Sequence, residues 1–328
     1  MARPSSRLLA AALCACSVAS DLVGQAAVDP SVAPRALQLA RAGARTEATE
    51  MLGRYLATAP DDAAAWRALG WFYLIDARQW HGQGHVGDPT GALFLDFAGA
   101  ALDQALRGAT DSALLLRATV DRERMMLGVE ARGWALARAA GVPADAGSAP
   151  DYVRELGLNL IASCPAGGVM VTGTDLEATA VWSVVFGEGA RADLVLLLPE
   201  QYAGDSLYRS AMVAALGVAT TLPVDAALAE AAQRRPVCLS PGVPATIVPA
   251  VPLATLRLVR VGGRPSAVDP APLDAGARSV AAAHRPAREG SSRRQRELLL
   301  QNPAEHFAHF VVGELVDEAD RGRYARRA

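Results

Sequence analysis

The chain has 328 residues, about half of them apolar and one fifth charged, enough for one large globular domain or two modest ones and too apolar for a disordered chain. Its formal net charge of −2 argues against nucleic acid or an anionic membrane surface as the main partner. The basic side chains are all Arg, and Asn occurs only at Asn159 and Asn302. That skew reflects a GC-rich bacterial genome rather than an Arg-based recognition surface.

The first segment reads as an address. "MARPSSR" carries two Arg, "LLAAALCAC" is a short apolar run, and "SVAS" supplies small residues. This is the order of a secretory signal peptide over residues 1–25, and the run is too short to span a bilayer. Leu13-Cys14-Ala15-Cys16 resembles a lipobox, which implies acylation of Cys16 and a lipid anchor. The alternative is ordinary cleavage near Ser20 or Ala26, which discards both cysteines. Either way the mature chain is expected outside the cytoplasm, in the periplasm or on a membrane if lipidated, with no transmembrane segment after signal removal. Cys164 and Cys238 then remain, each beside a predicted strand, as a disulfide pair or as two buried thiols.

Residues 30–141 have helical periodicity with short breaks. Helices are expected at Ala36–Ala42 and Thr46–Thr58, and another opens in "PDDAAAWRALGWFY", with Asp61 or Asp62 as its cap. There Trp66, Leu69, Gly70 and Tyr73 match W-x2-L-G-x2-Y, the signature of the tetratricopeptide repeat, and this region resembles that family. Trp66, Leu69 and Tyr73 share one helical face, while Gly70 lets a neighbouring helix approach closely. "QWHGQGHVGDPTG" is read as an inserted loop, so the next helix is expected only near Ala92, ending at Gly108. Two more helices run to Gly141. The resemblance implies about three degenerate helical hairpins and a concave groove for a protein or peptide partner.

Residues 142–151, Pro- and Gly-containing, form a linker. In 152–263 the pattern changes to strands alternating with helices: "GGVMVTG", "ADLVLLLP" and "PVCLSP" as buried strands, and "ATLRLVRVGG" as a final edge strand. Such alternation predicts a small α/β domain with a mostly parallel sheet. Residues 264–294 read as a flexible linker, and 295–328, which include His306 and His309, recover helical periodicity.

Within the α/β segment, "VMVTGTDLEATAVWSVVFGEGARADLVLLLPE" carries Thr172, Asp175, Trp182, Gly189, Arg191 and Asp193 in a distinctive order. It resembles the extracytoplasmic domain of an uncharacterised bacterial membrane protein family related to protein O-mannosyltransferases. Gly173-Thr174 and Leu176-Glu177 depart from that family's polar loop, and its multi-pass membrane portion has no counterpart here. The resemblance therefore implies an accessory extracytoplasmic fold, without catalytic residues to carry over.

Three constellations are candidates for chemistry. Asp175 and Glu177, after the first strand, are placed to coordinate a cation, accept bonds from sugar hydroxyls, or act as an acid/base pair. A capped helix start, with Thr174 or Asp175 as N-cap and acidic residues in the first turn, is the favoured reading, since no His, Cys nucleophile or Lys accompanies the pair. His81, His85 and Asp88 have the residue types of a zinc site, although Gly82 and Gly84 oppose a helix there and a polar loop explains them too. Arg191 is read as pairing with Asp193 in a turn, with substrate clamping as the alternative, and Trp182 as core. No P-loop, G-x-S-x-G or paired C-x-x-C occurs, so no cofactor is expected. These features point first to an exported non-catalytic scaffold. The alternative is a carbohydrate-related enzyme or glycan-binding module centred on Asp175 and Glu177.

Overall fold

The computed structural model of the protein describes residues 28–263, apart from 86, 109, 143–148, 220–221 and 257. The signal-peptide segment with Cys16 and the segments 264–294 and 295–328 lie outside the described residues. Within them the chain is mostly helical, with eleven α-helices and one five-stranded mixed sheet. No helix among them is long and apolar enough to cross a membrane.

The helices come first: α1 (Val32–Arg41), α2 (Arg45–Leu56), α3 (Ala63–Gly82), α4 (Pro89–Ala105), α5 (Asp111–Arg132) and α6 (Trp134–Ala140). Their starts are chemically marked. The Asp62 carboxylate accepts the Ala64 and Ala65 N–H groups at 2.9 and 3.0 Å, and Asp88 accepts Thr90 N–H at 2.7 Å with Pro89 opening α4. α1 packs on α2 and α3 on α4. At Gly70 a Cβ would stand 2.6 Å from the Leu102 side chain, so the α3–α4 contact requires glycine.

Two expectations change here. α3 continues through Gly82, which puts His81 on a helix rather than in an inserted loop, and α4 begins at Pro89 instead of Ala92. Tertiary contacts stabilise the last turn of α3: Ala77 is buried, and Arg78 is bonded to partners on two other elements. A packed helical face outweighs the weak propensity of glycine at the helix end.

The remaining elements are α7 (Asp151–Ser163), β1 (Val169–Val171), α8 (Asp175–Trp182, continued by a π turn over Ser183–Gly187), β2 (Val195–Leu197) and α9 (Pro199–Gly204). After them come α10 (Ser206–Leu216), α11 (Val224–Ala232), β3 (Val237–Leu239), β4 (Leu253–Leu256) and β5 (Val259–Gly262). The strand order is β2-β1-β3-β5-β4. β1 lies parallel between β2 and β3, and each of these strands is buried along its whole length. The sheet is not mostly parallel, because β5 runs antiparallel to both β3 and β4. The expected single final strand is a tight hairpin instead, with Leu256 paired to Val259. Between β3 and β4 the chain forms only a short 3-10 turn at Ala245–Ile247, without the helix that a parallel crossover needs.

α5 joins the two parts of the fold. It packs against α4, α6, α8 and α10. Its Met125, Met126 and Val129, with Trp134 of α6, share one hydrophobic core with the sheet residues, so apolar packing continues across the 142–151 segment. Trp182 is fully buried there, stacked on Phe186 with centroids 5.0 Å apart. Cys164 and Cys238 form a disulfide that ties the end of α7 to the middle of β3.

Candidate functional site

The three parallel strands end side by side, and their C-terminal ends form the floor of a cleft. Crevices at this edge of an open α/β sheet are where ligands usually bind, because loops diverge there and leave backbone groups exposed. Here Thr172 to Asp175 follow β1, Leu198 and Pro199 follow β2, and Pro244 lies beyond β3. α3 and α5 form the opposite wall, enclosing a cavity of about 500 Å³.

The loop after β1 is built around Glu177. Its Oε2 accepts the Gly173 N–H (3.2 Å), the Thr174 N–H (3.1 Å) and the Ser240 hydroxyl (2.7 Å), and its Oε1 accepts the Gly242 N–H (3.0 Å). The Thr174 hydroxyl accepts the Glu177 N–H in return, closing a capping box. Burial pushes the Glu177 carboxyl above its ordinary range, against the pull of the Ser240, Gly242, Gly173 and Thr174 donors. The backbones meet closely, since a Cβ on Gly173 would lie 2.0 Å from the Gly242 carbonyl carbon. Glu177 therefore staples the β1 loop to the β3 loop. With both oxygens engaged behind the cleft wall, it does not form an acid/base pair with Asp175.

Asp175 faces the other way, exposed at the cleft. Arg78 Nη1 donates to its Oδ2 (2.7 Å) and Arg122 Nη1 to its Oδ1 (3.0 Å). Burial alone would raise its pKa, but Arg122 and Arg78 hold it below the usual carboxylate value. Glu123, buried on α5, accepts from Arg78 Nε (2.8 Å) and Arg122 Nη2 (2.5 Å), and the same two guanidinium groups keep its carboxyl low despite burial. Two Arg and two carboxylates thus form a neutral network joining α3, α5 and α8 along one wall. Removing one member of such a network leaves its partner charged and buried.

A second polar group stands further along the cleft. His81 Nε2 is 2.5 Å from Asp205 Oδ2, 3.4 Å from Glu130 Oε1 and 2.8 Å from the Gln201 amide. The Asp205 and Glu130 side chains are both 3 % exposed. The carboxylate of Asp205, then that of Glu130, raises the His81 pKa to about 10, so in this arrangement the ring carries a proton at neutral pH. Asp205 also caps α10 through the Tyr208 N–H (2.9 Å).

The other candidates fall elsewhere. The structure does not bring His81, His85 and Asp88 together as ligands: His85 stacks on Trp80 with centroids 4.1 Å apart, and the Asp88 carboxylate caps α4. Arg191 sits before β2, at the sheet edge opposite the cleft. Its guanidinium donates to the carbonyls of Ile161 (2.7 Å), Cys164 (2.9 Å) and Pro165 (3.1 Å) and pairs with Asp193 at 2.9 Å. It holds the end of α7 against the β2 turn and cannot clamp a ligand in the cleft. Sequence reasoning missed Arg78, Arg122, Glu123, Glu130 and Asp205. The one legible signal was the run Asp121-Arg122-Glu123-Arg124 inside a helix flanked by apolar residues, where charges need partners. Comparison with protein-family models, curated proteins and solved structures finds no match to this chain.

Proposed function

We propose that the cleft at the ends of β1, β2 and β3 is an extracytoplasmic binding site for a small hydroxyl-rich ligand of the carbohydrate class. The observation that carries this reading is the mixed polarity of its wall. Asp175 and Glu200 offer acceptors, Arg78, Arg122 and Gln201 offer donors, and Leu95, Met126 and Ile247 add apolar surface. A sugar hydroxyl both donates and accepts, and its C–H faces need apolar contact, so such a wall suits it better than an anion or a hydrocarbon. The Thr172 hydroxyl, buried beside the cavity without a hydrogen-bond partner, is one more group a ligand would satisfy. The Cys164–Cys238 disulfide is consistent with export to an oxidising compartment, and the likeness to an accessory domain of O-mannosyltransferase relatives agrees with a glycan ligand.

Calorimetry and saturation-transfer NMR against a panel of neutral hexoses, amino sugars and their oligomers test this. Binding of at least one, weakened about tenfold or more by Asp175→Asn as expected for a lost charged hydrogen bond, supports it. No binding across the panel overturns it. The scaffold reading is favoured by a separate observation: Leu93 and Phe97, four residues apart on α4, are 49 % and 46 % exposed. If the panel fails and a Leu93→Ser/Phe97→Ser variant loses a discrete envelope protein that the wild type captures, a protein-docking role replaces the carbohydrate role.

A further inference from the structure

Beyond the ligand of the cleft, three side chains from distant parts of the chain meet with the donor set of a metal site. His81 comes from the last turn of α3, Glu130 from α5, and Asp205 from the junction of α9 and α10. One ligand atom from each lies within 4.8 Å of the others, and among the described residues this is the one cluster of His, Cys, Asp and Glu side chains so arranged. Once the ion displaces the ring proton, an imidazole and two carboxylates sum to −2, matching a divalent ion.

Two observations argue for more than a buried ion pair. Glu130 is 3 % exposed in its side chain, and its Oε1, aimed at the cluster, meets only the long 3.4 Å ion pair with His81 and accepts no well-formed hydrogen bond. A buried carboxylate oxygen held by so long a contact is costly and is expected to take up a proton, a water or a cation. His81 and Asp205 also line the cavity, so the cluster is closed by Glu130 on one side and open to the cleft on the other. Three protein ligands with one open position is the arrangement of reactive rather than purely structural zinc sites.

We propose that His81, Glu130 and Asp205 bind a divalent transition-metal ion whose remaining coordination position faces the cleft. An ion held tetrahedrally at about 2.1 Å keeps its ligand atoms about 3.4 Å apart. His81 Nε2 and Glu130 Oε1 already have that spacing at 3.4 Å. Asp205 Oδ2, at 2.5 Å from the imidazole, moves out by about 1 Å to admit the ion. Imidazole with carboxylates suits Zn²⁺ and related first-row ions and is poorly suited to Mg²⁺ or Ca²⁺. This site needs no sugar in the cleft and is tested without one.

The probe is Zn²⁺ alone, added to the purified untagged chain after chelator treatment, with retained metal counted after gel filtration and affinity measured by competition with a chromophoric chelator. One ion per chain is expected. His81→Ala and Glu130→Gln each weaken binding at least about 10–100-fold, the loss caused even by removing a supporting partner of a ligand, while His85→Ala leaves it unchanged. X-ray absorption of the zinc-loaded wild type requires no variant to fold and is expected to show one imidazole among oxygen ligands. Failure of the wild type to retain zinc, wild-type affinity in either variant, or a two-imidazole shell placing the ion between His81 and His85 overturns the proposal. None of these outcomes bears on sugar binding, so the two readings fail separately.

Discussion

Replacing Glu177 tests whether the β1 loop is a structural staple or a site of chemistry. The carboxylate accepts four hydrogen bonds, two at half-buried groups (Gly173 and Thr174 N–H) and two at buried ones (Ser240 hydroxyl and Gly242 N–H). In Glu177→Ala the half-buried donors recover water. Each of the two buried donors is left unpaired at a cost of about 1–3 kcal/mol, so the variant is expected to lose about 2–6 kcal/mol. In a chain of this size that corresponds to a fall in melting temperature of roughly 5–20 °C. Glu177→Gln keeps the shape and one carbonyl oxygen for the three donors on that side, but turns an amide N–H toward the Gly242 N–H. Its loss is expected near half as large, about 1–3 kcal/mol. Thermal and urea denaturation under non-reducing conditions read both values. An Ala variant that melts with the wild type, or a Gln variant less stable than the Ala variant, would refute the staple. Loss of cleft binding with unchanged stability would show that Glu177 is a site residue after all.

Three further outcomes are expected. Arg191 and the Gly167 N–H hold Asp193 at a pKa of about 2, below its ordinary 3.8. The folded-state pKa is depressed, so the stability the wild type holds over Asp193→Asn should be full above about pH 4, decline as pH falls from there, and be gone below about pH 2; melting curves across that window measure it. Reducing the Cys164–Cys238 disulfide, which spans 74 residues, is expected to destabilise by about 4 kcal/mol through chain entropy, lowering the urea midpoint measured with and without reductant. Gly173→Ala drives a Cβ into the Gly242 backbone, where no flexible side chain can yield, and is expected to cost about 1–3 kcal/mol by urea titration, whereas a loss near zero would mean that the two loops are not packed as described.

By itself the sequence determined whatever depends on neighbours along the chain. Caps at Asp62 and Thr174 mark helix starts because a side chain satisfies N–H groups two or three residues on, and that spacing is visible in the letters. The apolar runs at Val169–Val171, Val195–Leu197 and Val237–Leu239 announced buried strands because a doubly covered strand has no polar face. Gly70 was legible as a helix contact for a similar reason, since only its face of the helix is free of a side chain.

Tertiary structure decided what has no period. Glu177 reads as half of an acidic pair until Ser240 and Gly242, more than 60 residues away, take up its oxygens. His81 reads as a loop residue beside His85 until Asp205, 124 residues on, meets it across the cleft. The final strands look like one edge strand because alternation shows where a strand is but not where it turns or which way it runs, and backbone pairing with β3 settles both. Ion pairs and ladder hydrogen bonds act across space, between groups whose separation in sequence is arbitrary. The carboxylates and imidazole were therefore plain in the sequence, and their partners were decided only by the fold.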